Sequence, residues 1–251
     1  MITLQEMENY LETFLQTALF SDYCENGIQV EGKKEIRKLG TAVSASLETI
    51  QEAVNQNVDA LLVHHGMFWK HHQYAIKGTK RKKLQLLIEN NISLLGYHLP
   101  LDAHQEVGNN WKAAMEMGWK NLEPFCELEG NIIGVRGEIE PTSVSQFQSD
   151  LEKFYDHPAK CALGGPDKIQ SVALVSGGAR RTLPDAAAAG CDAFITGNFD
   201  EPDWYIAQEE EIHFFAMGHS ATERIGPRVL GEHLAEKFGL DVQFLDVQNP
   251  F

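Results

Sequence analysis

The chain has 251 residues, 43% apolar and 9% aromatic, enough to bury a substantial core as one large domain or two joined lobes. A net charge of −15 argues against general affinity for nucleic acid, whose phosphates it repels. No apolar run approaches the ~20 residues that span a bilayer, the acid-bearing N-terminus reads as a helix and not a signal peptide, and four scattered cysteines without a C-x-x-C pair fit reduced thiols in a cytoplasmic protein.

In chain order, Thr3 to Glu6 has capping-box spacing, and Leu4, Met7, Leu11, Phe14, Leu15 and Ala18 recur at helical period, so a first amphipathic helix ends before Ser21-Asp22. Asn26-Gly27 marks a turn, followed by a short strand, Ile28 to Val30. Leu39 to Ser44 is a strand, Ser46 caps a helix with Leu47, Ile50, Ala53 and Val54 inward, and Ala60 to Val63 is the next strand: a βαβ unit. Lys77, Lys80, Arg81, Lys82 and Lys83 hold five of the 21 basic residues, as a solvated helix start or as a patch that draws an anionic substrate. Ile92 to Tyr97 is a further strand. From about Asn121 to Gly165 come a strand, Ile132 to Arg136, a capped helix with Phe147, Leu151 and Phe154 on one face, and a Gly-Gly-Pro loop.

The βαβ order then returns: strand Ser171 to Gly178, Ala-rich helix Thr182 to Gly190, strand Asp192 to Gly197, strand Ile212 to Met217. Asp59-Ala60 aligns with Asp192-Ala193, Val43-Ser44 with Val175-Ser176, and Tyr97-His98 with Gly218-His219, the mark of a diverged duplication. A helix from Ile225 to Phe238 and a strand from Val242 to Leu245 close the chain. The expected architecture is α/β and two-lobed, with duplicated βαβ-type sheets and a metal site in the seam between lobes. One lobe spans roughly 1–120 plus the C-terminal tail, the other roughly 121–224.

Three of these strands deliver imidazoles and carboxylates at their C-terminal ends: His64-His65, His98 with Asp102, and His219 with Glu223. That edge is where open α/β sheets bind ligands, and mixed His and carboxylate donors suit divalent metals, here a pair. A single histidine after a strand is more often a satisfied polar residue than a ligand. Two in succession are harder to dismiss: strand alternation sends them to opposite faces, so both are expected on the turn beyond the strand, where Gly66 lets the backbone curl. His219 and Glu223, four apart, share a face if a helix begins near Ser220.

Four motifs in order, Asp22 to Gly32, Val63 to Trp69, Gly96 to His104 and Gly218 to Arg224, resemble the family of type 2 homologues of GTP cyclohydrolase I, also called Nif-three-like, over essentially the whole chain. The resemblance implies a two-lobed α/β fold assembled as a toroidal hexamer, and metal ligands at His64, His65, Asp102, His219 and Glu223, with His98 a near neighbour. It departs at Asn198, where the family commonly has Glu. The expected activity is that of a metal-dependent hydrolase that opens the purine ring of a nucleotide. Two divalent ions per subunit (iron, manganese, zinc, nickel or cobalt) are expected, with His98 or His104 moving protons. The alternative is a non-catalytic metal-binding assembly or regulatory protein that docks a protein or DNA partner. Phe68, Trp69, Trp111, Trp119 and Phe251 are expected to offer apolar surface for subunit contacts.

Overall fold

The structure, a computed structural model, describes residues 1–128 and 130–251. Its contacts divide the chain into two units: Met1–Leu101 with Arg224–Gln248, and Asp102–Glu223 with Asn249–Phe251. The first boundary thus falls at Asp102 and not near residue 120, because the helix Asn109–Glu116 packs on the strand Asn131–Ser143.

The first unit is built on a five-stranded sheet in the order Asp241–Phe244, Lys38–Ser44, Ala60–His65, Ser93–Gly96, Gly27–Val30. The first four are parallel and the last is antiparallel. Crossover helices cover parallel strands, so the central strand reads as an unbroken apolar run, and Leu61, Leu62 and Val63 are fully buried. The helix Leu4–Phe14 begins at the expected capping box, with Thr3 and Glu6 each satisfying the other's backbone N–H. Ser46 caps Leu47–Asn55, whose Ile50 and Ala53 are buried. Leu47, expected inward, is exposed: as the first residue of its helix it tilts back over the N-terminus, away from the sheet.

The second unit holds a six-stranded sheet in the order Lys120–Leu128, Asn131–Ser143, Lys168–Leu174, Ala193–Thr196, His213–Ala216, Lys160–Leu163. Lys168–Leu174, Ala193–Thr196 and His213–Ala216 are parallel, and the flanking strands are antiparallel. Trp111 and Trp119, expected at subunit contacts, are buried here and serve as core.

The duplication is visible in the hydrogen bonds. Each unit runs helix, antiparallel edge strand, then three parallel strands joined by two helices. Asp59 Oδ2 accepts the amides of Arg37 and Lys38 at 2.9 Å each, and Asp192 Oδ2 accepts those of Gln170 and Ser171 at 2.8 Å each. The same clamp therefore ties the same two strand starts in both units. The ladders correct the alignment by one residue. Leu39 faces Ala60 as Val172 faces Ala193, which sets Ser44 on Gly177 and not on Ser176. Ala60 faces Ser93 as Ala193 faces His213, which sets His98 on Gly218 and not on His219. Buried apolar runs tolerate a one-residue slip on paper, whereas pairing does not.

Candidate metal centre

In the first unit the strand ladder runs through both adjacent histidines, since Ser44 pairs with His65 and the Ala45 amide donates to the His65 carbonyl at 2.8 Å. The turn therefore begins at Gly66, two residues later than expected, and both histidines lie on the strand. His64 Nδ1 lies 3.1 Å from the Tyr97 carbonyl, which can only accept, so Nδ1 carries the proton. His65 Nδ1 meets the Ser44 hydroxyl at 2.9 Å, and His98 Nδ1 meets Asp22 Oδ1 at 2.7 Å. Each ring is thus gripped at Nδ1, an arrangement that orients a histidine's other nitrogen, Nε2, for use. The rings gather closely, with centroids 4.7 Å apart for His64 and His65 and 5.0 Å for His64 and His98. One ligand atom from each of the three lies within 4.8 Å of the others.

Asp22 is the hub of this cluster. Oδ1 also accepts the Cys24 amide at 3.1 Å, and Oδ2 accepts the Leu99 amide at 2.9 Å and the Asn26 side-chain amide at 3.0 Å. Burial by itself would raise its carboxyl, but the hydrogen bond and charge of His98, with Asn26 and the Cys24 amide, outweigh that and lower it to about 2. The nearby Cys24 thiol goes the other way: burial pushes it up to about 11, so it stays protonated and is a poor ligand.

The second unit carries the carboxylates. Asp102, in the short helix Leu99–Ala103, is buried, and its Oδ1 accepts from the Asn109 side-chain amide at 2.8 Å and the Ser176 hydroxyl at 3.1 Å. Asn110 ties the same corner together, donating to the Ile133 carbonyl at 2.8 Å and accepting the Ser176 amide at 2.7 Å. His219 opens a one-turn helix, His219–Thr222, and its Nε2 stands 3.2 Å from Glu223 Oε1. Its Nδ1 meets Asn198 Oδ1 at 2.7 Å. The residue that departs from the family pattern therefore performs the same grip on a histidine, through a neutral amide oxygen. Gly177 makes room for this pair: its φ is +65°, and a Cβ there would stand 2.1 Å from Glu223 Oε1. Asp102 and Glu223 each bring a carboxylate oxygen within 4.8 Å of the other's.

Two sequence expectations find other uses. His104 Nδ1 accepts the amides of Glu106 and Val107 at 3.2 and 3.3 Å, which organises the turn before Asn109–Glu116. Of the basic run, Lys77 at the N-cap and Arg81 and Lys82 on the helix Gly78–Glu89 are exposed, as a solvated helix start requires. Lys80 turns inward over the Phe68 ring, 5.0 Å from its centre, and donates to the Gln73 carbonyl at 3.0 Å. It borders a cleft of about 1110 Å³ with Tyr23, Phe68, Trp69 and Lys70. Sequence reasoning missed Asn109 and Asn110, although two fully buried asparagines after a glycine at a helix start are a signal once the pair is noticed.

Residues 2–250 match the family model described as Duf34/NIF3 (NGG1p interacting factor 3). The "GTP cyclohydrolase 1 type 2 homolog" of Chlamydia pneumoniae is 46% identical over 252 residues, covering 100% of both chains, and that of Haemophilus influenzae is 44% identical with 98% of both covered. Among solved structures, "protein ybgI, unknown function" superposes with a TM-score of 0.94 at 40% identity, and TTHA1606 from Thermus thermophilus with 0.92 at 34%, each covering 100% of both chains. Whole-chain matches of this kind, on a duplicated α/β scaffold that gathers histidines and carboxylates at its strand ends, leave one assignment: the chain belongs to the Duf34/NIF3 family.

Proposed function

We propose that this protein is a metal-dependent hydrolase that holds two divalent cations through His64, His65, Asp102, His219 and Glu223 and acts on a nucleotide. The observation that carries the reading is the uniform grip on the imidazoles: His64, His65, His98 and His219 are each held at Nδ1 by a carbonyl, hydroxyl, carboxylate or amide oxygen. Histidines placed for packing have no need of such uniformity, whereas metal-ligating histidines regularly show it. The donor set fits the group. It is nitrogen and oxygen without thiolate, which suits iron, manganese, zinc, nickel or cobalt. Five side chains are too few for two coordination spheres, so water completes them.

Paired divalent cations, when bound, bring the pKa of water toward ~7 and polarise an electrophilic carbon or phosphorus. The chain's own residues supply the rest. Asp22 orients His98 with Nδ1 protonated, which leaves Nε2 as the atom that accepts or returns a proton. Asn198 fixes the tautomer of His219 in the same way. Trp69, whose ring meets His98 edge-on at 5.1 Å, and Phe68 offer flat apolar faces for a base, and Lys70 and Lys80 bring positive charge to the same cleft.

The test is elemental analysis of protein purified without added metal, followed by a nucleotide panel assayed with the loaded protein. Two metals per chain, lost in His64→Ala together with turnover, is the expected result. Two metals with no turnover of any nucleotide would leave a metal-binding regulatory or assembly protein, and the absence of metal would end the reading altogether.

A further inference from the structure

The segment Asp22–Gly32 is one of the strongest motifs in the chain, yet none of its residues is in the proposed ligand set. Its strand, Gly27–Val30, pairs antiparallel with Ser93–Gly96, and the pairing is interrupted at one place. Ile28 faces Leu95 and Val30 faces Leu94, so Gln29 is an inserted residue, a β-bulge. Bulges re-aim a side chain, and they gather beside functional sites.

The Gln29 side chain is aimed at two glycines. A Cβ on Gly66 would stand 2.1 Å from Gln29 Nε2, and a Cβ on Gly96 would stand 2.6 Å from it. Gly66 directly follows His65, and Gly96 comes two residues before His98. Both positions are therefore kept bare by the passage of one carboxamide. Its oxygen accepts the Met67 amide at 2.7 Å, and its nitrogen donates to the Glu25 carbonyl at 2.7 Å and reaches Cys24 Sγ at 3.5 Å. The first bond fixes the turn that ends the His64-His65 strand. The second fixes the loop whose Asp22 holds His98 Nδ1 and whose Asn26 accepts the His98 amide at 2.9 Å.

We propose that Gln29 is the positioning residue of the three-histidine cluster: one carboxamide couples the backbone behind His65 to the loop that holds His98, and so sets the spacing of the two rings. Asp22 orients a single ring, whereas Gln29 sets the distance between two. Its orientation is dictated from both sides, because the Met67 N–H requires an oxygen and the Glu25 carbonyl requires a donor. The inference rests on the reading of His64 and His65 as metal ligands.

The experiment titrates metal-free protein with cobalt(II) alone, followed by its visible absorption, beside thermal unfolding and the ring-nitrogen NMR shifts of His65 and His98. Gln29→Met keeps the volume and removes all three polar contacts. It should weaken cobalt binding about ten-fold or more and move the nitrogen shifts of both rings in the metal-free protein. Gln29→Glu keeps an acceptor for Met67 but sets a carboxylate against the Glu25 carbonyl. It serves where the Met variant does not fold, and a loss of several-fold in affinity is expected from it. A residue that merely held the strand would lower Tm while the folded protein bound cobalt with wild-type affinity and unmoved ring shifts. That result overturns the proposal. His64→Ala separates the two levels: if it binds cobalt like the wild type, the metal assignment has failed, and if it alone loses binding, only the part given to Gln29 has.

Discussion

A histidine used as a ligand is asked for one nitrogen and held by the other, and the partners that hold it here lie far away in sequence. His65 is held by Ser44, His64 by the Tyr97 carbonyl, His98 by Asp22 and His219 by Asn198. Asn198→Ala should remove the acceptor at His219 Nδ1 and weaken zinc binding about ten-fold, with an unaltered affinity counting against any part for that residue. At the strand starts, Asp59 should make stability depend on pH. Burial alone would raise its carboxyl, but the Lys33 ammonium and the Lys38 and Arg37 amides outweigh burial and hold it below the ordinary range. The stabilisation is complete above the unfolded value of ~4 and is lost as pH falls through the lower folded value. Asp59→Asn should therefore cost about 1–2 kcal/mol near neutrality and progressively less as pH falls below the unfolded value of ~4. Denaturant titrations giving the same cost at both ends of that range would refute this account. The histidines and carboxylates of the candidate site were legible in sequence because strand ends punctuate the chain. Their partners were not, because a residue such as Asp22 becomes a neighbour of His98 only when an edge strand returns to the sheet.

At the level of elements, what was read correctly had strong periodicity and local punctuation. The helices Leu4–Phe14 and Ile225–Phe238 carry clear apolar faces, and the first carries its capping box as well. Replacing the cap, Thr3→Ala, should cost about 1 kcal/mol of stability in chemical denaturation. Two elements gave little warning. Lys120–Leu128 is an edge strand with a proline at 124, and of its residues only Phe125 is buried, so no alternation marks it. The helix Glu201–Glu209 buries only Asp203 and Ala207. Its start is specified by charge: Arg180 lies 2.8 Å from Asp200 and 3.2 Å from the fully covered Asp203. Arg180→Met leaves a buried carboxylate without its cation and should cost about 3 kcal/mol, far more than a surface ion pair returns. A loss under about 0.5 kcal/mol in the same denaturation assay would show that Asp203 had found another partner.

For the whole molecule, the duplicated plan was legible and its register was not. Apolar runs announce parallel strands, yet Leu39 to Ser44 and Lys168 to Leu174 slide past one another on paper until the ladder fixes them. Among the described residues no helix is long and apolar enough to cross a membrane. The resemblance implies a closed ring of six subunits. Trp204, Tyr205 and Phe251 are exposed, whereas Trp111 and Trp119 are buried. Sedimentation velocity at micromolar concentration should report the ring as a single species, and a stable monomer would remove it.

The chain leaves the first unit at Leu101, returns at Arg224, and adds the strand Asp241–Phe244 beside Lys38–Ser44. During synthesis, then, the first unit emerges early but waits for the ribosome to deliver its closing strand. The second unit, apart from Asn249–Phe251, is synthesised as one continuous stretch, Asp102–Glu223, before that strand. Until that strand is made, the nascent first unit holds the Lys38–Ser44 edge without its parallel neighbour, an open edge of the kind that invites wrong pairing.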